Sequence, residues 1–136
     1  MLGNLYSLIG QIDKALTECK LAVDLVPNSA SALTWYGAVL IKAGQYDMAV
    51  EHLEQAGRRD PMAGTWFLRY LGSAYSLKGR HDEAISTLKK AIQMAPKDYL
   101  SRLLLTRAYI FAGKPDDAQA EAAEVLRLNP NFSLEK

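Results

Sequence analysis

Four prolines divide the chain at nearly equal intervals: Pro27, Pro61, Pro96 and Pro130, spaced 34, 35 and 34 residues apart. Glycines keep the same beat at Gly10, Gly44, Gly79 and Gly113, and alanines at Ala15, Ala49, Ala84 and Ala118. A small residue follows each of the first three prolines by ten or eleven positions, as Gly37, Gly72 and Thr106, with Gly3 at the matching place near the start. A fixed period of about 20 to 50 residues is the signature of stacked repeats, whose units bury their apolar faces only against their neighbours. Such a fold leaves little room for a deeply enclosed catalytic pocket.

Aligned on their prolines, the repeats run 1–29 (short at its front end), 30–63, 64–98 and 99–132, and residues 133–136 begin a further helix. In the second repeat, Leu33, Tyr36, Gly37, Leu40 and Ile41 have the spacing of one apolar helix face. Gly44 ends that helix, because glycine takes the left-handed conformation at a helix terminus without steric cost. Tyr46, Ala49, Val50, Leu53 and Ala56 form a second apolar face, which Asp60-Pro61 closes, since the residue before proline disfavours helical geometry. Each unit therefore reads as helix, tight turn, helix, proline turn. Acidic residues after the turn glycines, as in Asp82-Glu83 and Asp116-Asp117, suit the positive end of a helix dipole, and Pro115 suits a first helical turn. The small residues at Gly37, Gly72, Ala49 and Ala84 mark places of close helix approach, with Tyr6, Tyr75 and Tyr109 filling the space around them.

This pattern resembles the tetratricopeptide repeat family. The third repeat carries the signature as Leu71, Gly72, Tyr75, Gly79, Ala84, Leu88, Ala91 and Pro96, and the second as Tyr36, Gly37, Leu40, Gly44, Ala49, Leu53, Ala56 and Pro61. Thr106, Ala122 and Val125 depart from it in the fourth repeat, and one extra residue lies between Pro61 and Gly72. The resemblance implies an all-α fold: an α-solenoid of about four stacked antiparallel helix pairs forming a single domain and a right-handed superhelix. A second resemblance is carried by Trp66-Phe67-Leu68-Arg69-Tyr70-Leu71-Gly72 and by the ending from Val125 to Glu135. Both look like the repeat arrays C-terminal to bacterial class III adenylate/guanylate cyclase domains.

Composition narrows the partners. The chain has 136 residues, 49% of them hydrophobic, with 16 Lys plus Arg against 15 Asp plus Glu. A net charge of +1 gives no support for nucleic acid as the main partner. No apolar run approaches the roughly 18 residues of a membrane span, and no signal peptide is visible. Cys19, the only cysteine, fits a reducing compartment, so the expected location is cytoplasmic.

Chemistry-bearing patterns are sparse. Ser86 and Lys89 have Ser-x-x-Lys spacing, but mid-helix and without the partner motifs of a serine acyl enzyme. His52 and His81, the only histidines, lack metal-ligand spacing and read as surface residues; Cys19 takes a repeat core position. No catalytic residue, cofactor or metal is expected. The first helix of each pair should line a concave groove. From the helix phase, its candidate binding residues are Asn4, Thr34, Lys42, Trp66, Arg69, Ser73 and Arg107, with Leu100, Leu103 and Ile110 beside them. A chaperone-type carboxylate clamp is not expected. Asn4 matches one clamp place, but Trp35, Trp66 and Tyr70 hold three others.

The leading expectation is a non-catalytic scaffold that binds a peptide or protein through the groove. The alternative is a regulatory or dimerising module of a larger bacterial signalling enzyme such as a cyclase. The short first repeat and the missing cap after the fourth suggest a fragment of a longer array, with homo-oligomerisation through uncapped ends as the other possibility.

Overall fold

The computed structural model describes the backbone of residues 2–26, 29–60 and 64–131, and the side chains of that set from Ile9 onward. It contains α1 (Leu2–Leu25), α2 (Ala30–Lys42), α3 (Tyr46–Arg59), α4 (Thr65–Lys78), α5 (His81–Met94), α6 (Tyr99–Phe111) and α7 (Pro115–Leu128). There is no strand among the described residues. The helices fall into two compact units, Met1–Ala63 with α1 to α3 and Gly64–Lys136 with α4 to α7.

Three hairpins, α2–α3, α4–α5 and α6–α7, follow one plan. Gly44, Gly79 and Gly113 sit at φ +79°, +87° and +74°, the left-handed region that a Cβ would strain. The amide of Gly44 then donates to the Ile41 carbonyl, and that of Gln45 to the Leu40 carbonyl. Gly79 with Arg80 and Gly113 with Lys114 repeat the same two bonds, which satisfy carbonyls that the helix end would otherwise strand. The starts of the helices are equally local. Ser29 caps α2 by accepting from Ala32 N at 3.1 Å, and Pro115 occupies the first turn of α7.

In the α2–α3 and α4–α5 hairpins the core is a glycine facing a leucine. A Cβ on Gly37 would stand 2.5 Å from Leu53 Cγ, and one on Gly72 would stand 2.6 Å from Leu88 Cγ. Leu53 and Leu88 are fully buried, which contributes roughly 2 kcal/mol each by the area they remove from water. Tyr36, Tyr75 and Tyr109 are buried beside them. The fourth repeat exchanges the two sizes: Thr106 stands at the glycine position and Ala122 at the leucine position. Thr106 is buried, with its hydroxyl donating to the Arg102 carbonyl at 2.9 Å. The exchange puts the larger side chain on the first helix and the smaller on the second, so a gain in volume at one position offsets most of the loss at the other.

One expectation is overturned. Gly10 does not end a helix; α1 runs unbroken through it for 24 residues, and its φ is not positive. The first repeat is therefore one long helix and not a hairpin. Continuing a helix through one glycine costs only about 1 kcal/mol, which the helical hydrogen bonds on either side offset. In consequence Leu21 and Leu25 of α1 are exposed, and Cys19 is its buried anchor. Of the proline turns, Pro96 and Pro130 lie just past α5 and α7. Pro27, Pro61 and residues 133–136 fall outside the described set.

Candidate functional site

In the second unit, α4 and α6 are the first helices of consecutive hairpins, and they pack against each other as well as against α5. Residues one period apart consequently stand side by side. Arg69 and Leu103, Tyr70 and Leu104, and Ser73 and Arg107 are three such pairs, each offset by 34. Between the two helices lies a cavity of about 260 Å³ lined by Arg69, Tyr70, Ser73, Leu100, Leu103 and Leu104. Its walls are mainly aliphatic and aromatic, with Arg69 and Ser73 as the polar members of the lining.

Both arginines are held in place. Arg69 Nη1 donates to Asp98 Oδ2 at 3.1 Å. The same oxygen accepts from Ser101 Oγ at 3.0 Å, while Oδ1 accepts from Leu100 N at 3.1 Å and so caps α6. Asp98 thus fixes the start of α6 and the Arg69 guanidinium together. Further along, Arg107 Nη2 donates to the Ser73 hydroxyl, and its guanidinium lies 5.8 Å from the Phe111 ring centre. Trp66 meets Tyr70 edge-on at 6.0 Å and is itself exposed, beside the lane that α4 and α6 form around the cavity.

The candidate residues distribute unevenly. Arg69 and Ser73 line the cavity, Arg107 is joined to Ser73, and Trp66 leans on the cavity wall at Tyr70. Thr34 and Lys42 lie on α2 in the first unit. Thr34 is 2% exposed, and its hydroxyl donates to the Ala30 carbonyl at 2.8 Å; Lys42 is exposed in the last turn. The side chain of Asn4 is outside the described set. Tyr70, Leu104 and Asp98 were not among the candidates. The 34-residue offset would have found the first two, since it pairs them with each other across the lane.

Other reactive groups are accounted for locally. Ser86 and Lys89 are exposed on α5, on either side of buried Leu88. Burial pushes the Cys19 thiol above its ordinary value, and neighbouring Glu18 adds to the rise. The surface reading of the histidines is corrected, because both are half-buried. His52 packs edge-on against Tyr36 at 4.7 Å, with Nδ1 2.8 Å from the Met48 carbonyl. Among the described residues, no three His, Cys, Asp or Glu side chains cluster as a metal site would require, and no helix is long and apolar enough to cross a membrane.

Helical hairpins in 34-residue register, with glycine-on-leucine cores and first helices side by side, define a helical-repeat protein. A tetratricopeptide repeat model matches residues 77–134, and one described as anaphase-promoting complex, cyclosome, subunit 3 matches residues 9–91. The chain belongs to the tetratricopeptide repeat family. Small glutamine-rich tetratricopeptide repeat-containing protein 2 of Mycosarcoma maydis is 32% identical over 77 residues, which is 57% of this chain and 22% of that protein. The crystal structure of MamA superposes with a TM-score of 0.80 at 23% identity, covering 97% of this chain and 77% of MamA. YrrB, described as a TPR protein with an unusual peptide-binding site, gives 0.72 at 24% identity, covering 93% and 65%. The family and fold are those of protein-interaction scaffolds.

Proposed function

We propose that the chain is a non-catalytic scaffold holding an extended segment of a partner protein in the lane between α4 and α6. The observation that carries this reading is the 260 Å³ apolar cavity, placed between two first helices and edged by fixed polar side chains. A few convergent polar groups around an apolar recess are what a peptide site needs: area for affinity and hydrogen bonds for register. The neighbour YrrB, whose description names a peptide-binding site, adds support from fold alone.

Panning a displayed random-peptide library on the full chain tests the reading. Enriched peptides should lose about tenfold or more in affinity on Leu103→Glu, which places a carboxylate in the recess without emptying the core. Leu103 is only half-buried, so the variant should keep its helical circular dichroism. A selection that yields no peptide sensitive to Leu103→Glu would count against the lane.

A further inference from the structure

Two side-chain bonds cross between α4 and α6 beside the cavity, one in each direction. Arg69 of α4 reaches Asp98 at the start of α6, and Arg107 of α6 reaches back to Ser73 of α4. The remaining arginine of these two helices, Arg102, pairs with Glu121 of α7 at 3.2 Å. The four side chains of the Arg69–Asp98 and Arg102–Glu121 pairs are between 18% and 24% exposed, so both pairs are drawn largely out of water and are screened little by salt. The arginine charge at the lane is thus answered from within the chain. The two polar members of the lining, Arg69 and Ser73, are themselves engaged. The rest of the wall is Tyr70, Leu100, Leu103 and Leu104, and exposed Leu100 and Trp66 extend the apolar surface outward.

We infer that the lane selects an uncharged partner segment that inserts one bulky apolar side chain, and that Asp98 sets this selectivity by neutralising Arg69. The inference rests on the reading of the α4–α6 lane as the binding surface. Size argues for a single side chain: a recess of about 260 Å³ falls below the roughly 300–1,000 Å³ of sites that take a whole small molecule. Charge argues for a neutral one. A carboxylate entering beside Arg69 would share a guanidinium whose charge Asp98 already offsets, and would be repelled by Asp98 itself. An ammonium would find both Asp98 oxygens accepting from Leu100 N, Ser101 and Arg69. Either ion would give up its water without a counter-charge of its own, which costs more than the apolar walls return. A leucine or phenylalanine side chain loses no hydrogen bond on entry and gains those walls. Asp98 does not line the recess; it acts through Arg69 and so tunes which partner is accepted without touching it.

The test uses the full chain, isotope-labelled for NMR, titrated with the N-acetyl amides of leucine, phenylalanine, glutamate and lysine. The leucine and phenylalanine amides should shift the backbone signals of Tyr70, Ser73, Leu103 and Leu104, and bind about tenfold or more tightly than the two charged amides. Their affinity should move by less than about twofold between low salt and about 1 M sodium chloride, because no ion is bound. Asp98→Asn retains a cap for α6, since asparagine caps as well as aspartate, but leaves Arg69 without its counter-charge. It should strengthen the glutamate amide about fivefold or more and leave the leucine amide within about twofold. Arg69→Gln leaves Asp98 as the unanswered charge and should favour the lysine amide instead. Asp117→Asn, which removes an exposed carboxylate from α7, should change neither. A charged amide that shifts the same residues as tightly as leucine in the unaltered chain would overturn the uncharged partner and leave the lane standing. Unchanged selectivity in both Asp98→Asn and Arg69→Gln, with helical circular dichroism intact, would overturn the role of Asp98. If the amides shift nothing, the library peptides sensitive to Leu103→Glu decide: a bulky apolar residue common to them supports the inference, and a common charged residue overturns it. Silence of the amides together with failure of the library selection would remove the lane itself.

Discussion

Gly72 is where a single methyl group tells most. Its added Cβ would meet Leu88 Cγ at 2.6 Å and Cδ2 at 2.7 Å, too close for a packed leucine to yield without moving α5. Gly72→Ala should therefore destabilise the chain by about 1–3 kcal/mol in urea denaturation, the usual cost of overfilling a core. The fourth repeat suggests the remedy, since it carries Thr106 and Ala122 at these two positions. Gly72→Thr combined with Leu88→Ala should be more stable than Gly72→Thr alone; a double variant no better than the single would mean the exchange does not conserve volume. A second residue gives a pH handle. The Arg80 guanidinium, bonded at 2.5 and 2.6 Å, holds the Glu83 carboxyl below its ordinary value of 4.5. A depressed folded value means the contribution is present above the unfolded value and fades as pH falls through the folded one. Glu83→Gln should thus lower the melting temperature slightly at neutral pH and leave it unchanged at about pH 2–3. A deficit that persists undiminished in acid would assign the effect to something other than this ion pair.

At the scale of helices, the glycines at equal repeat positions do opposite things. Gly44 holds φ +79° in a turn, while Gly10 lies inside α1 with open space where a Cβ would go. Gly10→Ala should therefore stabilise the chain by about 0.5–1 kcal/mol, by helix propensity and reduced freedom of the unfolded chain. Gly44→Ala should destabilise it by about 1 kcal/mol or more, because alanine resists the left-handed region. Thermal melts of the two variants moving in the same direction would contradict the unbroken α1. Gly10 also shows the limit of reading by period. Landmarks at equal spacing report the register of a repeat, so the three later turns, the glycine–leucine cores and the buried tyrosines are legible in the sequence. Whether a turn forms at a given glycine depends on the packing around it, which the landmark does not encode. The lane was legible to the same degree. Helix phase alone placed Arg69, Ser73, Leu103 and Arg107 on one face, but the role of Asp98 required knowing that a residue 29 positions after Arg69 meets it.

For the molecule as a whole, the division at Ala63 and Gly64 separates two sets of helices with their own cores. In repeat proteins stability is close to a sum of unit and nearest-neighbour terms, so a part containing complete hairpins can fold alone. The second unit holds two complete hairpins, α4–α5 and α6–α7, with α6 packed on both α4 and α5. The cavity, the Arg69–Asp98 pair and the Arg107–Ser73 bond all lie within it. Gly64 precedes α4 in extended conformation at ψ −166°, so a cut before it severs no helical hydrogen bond. The first unit has one complete hairpin and the long α1, and a set that small buries a modest share of its surface. A polypeptide of residues 64–136 should accordingly remain helical and unfold cooperatively in urea, with a slope of about 1 kcal/mol per molar. It should also bind the library-selected peptides within about threefold of the full chain, since every residue assigned to them is present. Residues 1–63 alone should show lower helicity and a broader transition. If the 64–136 polypeptide folds yet loses those peptides, the lane is not where they bind.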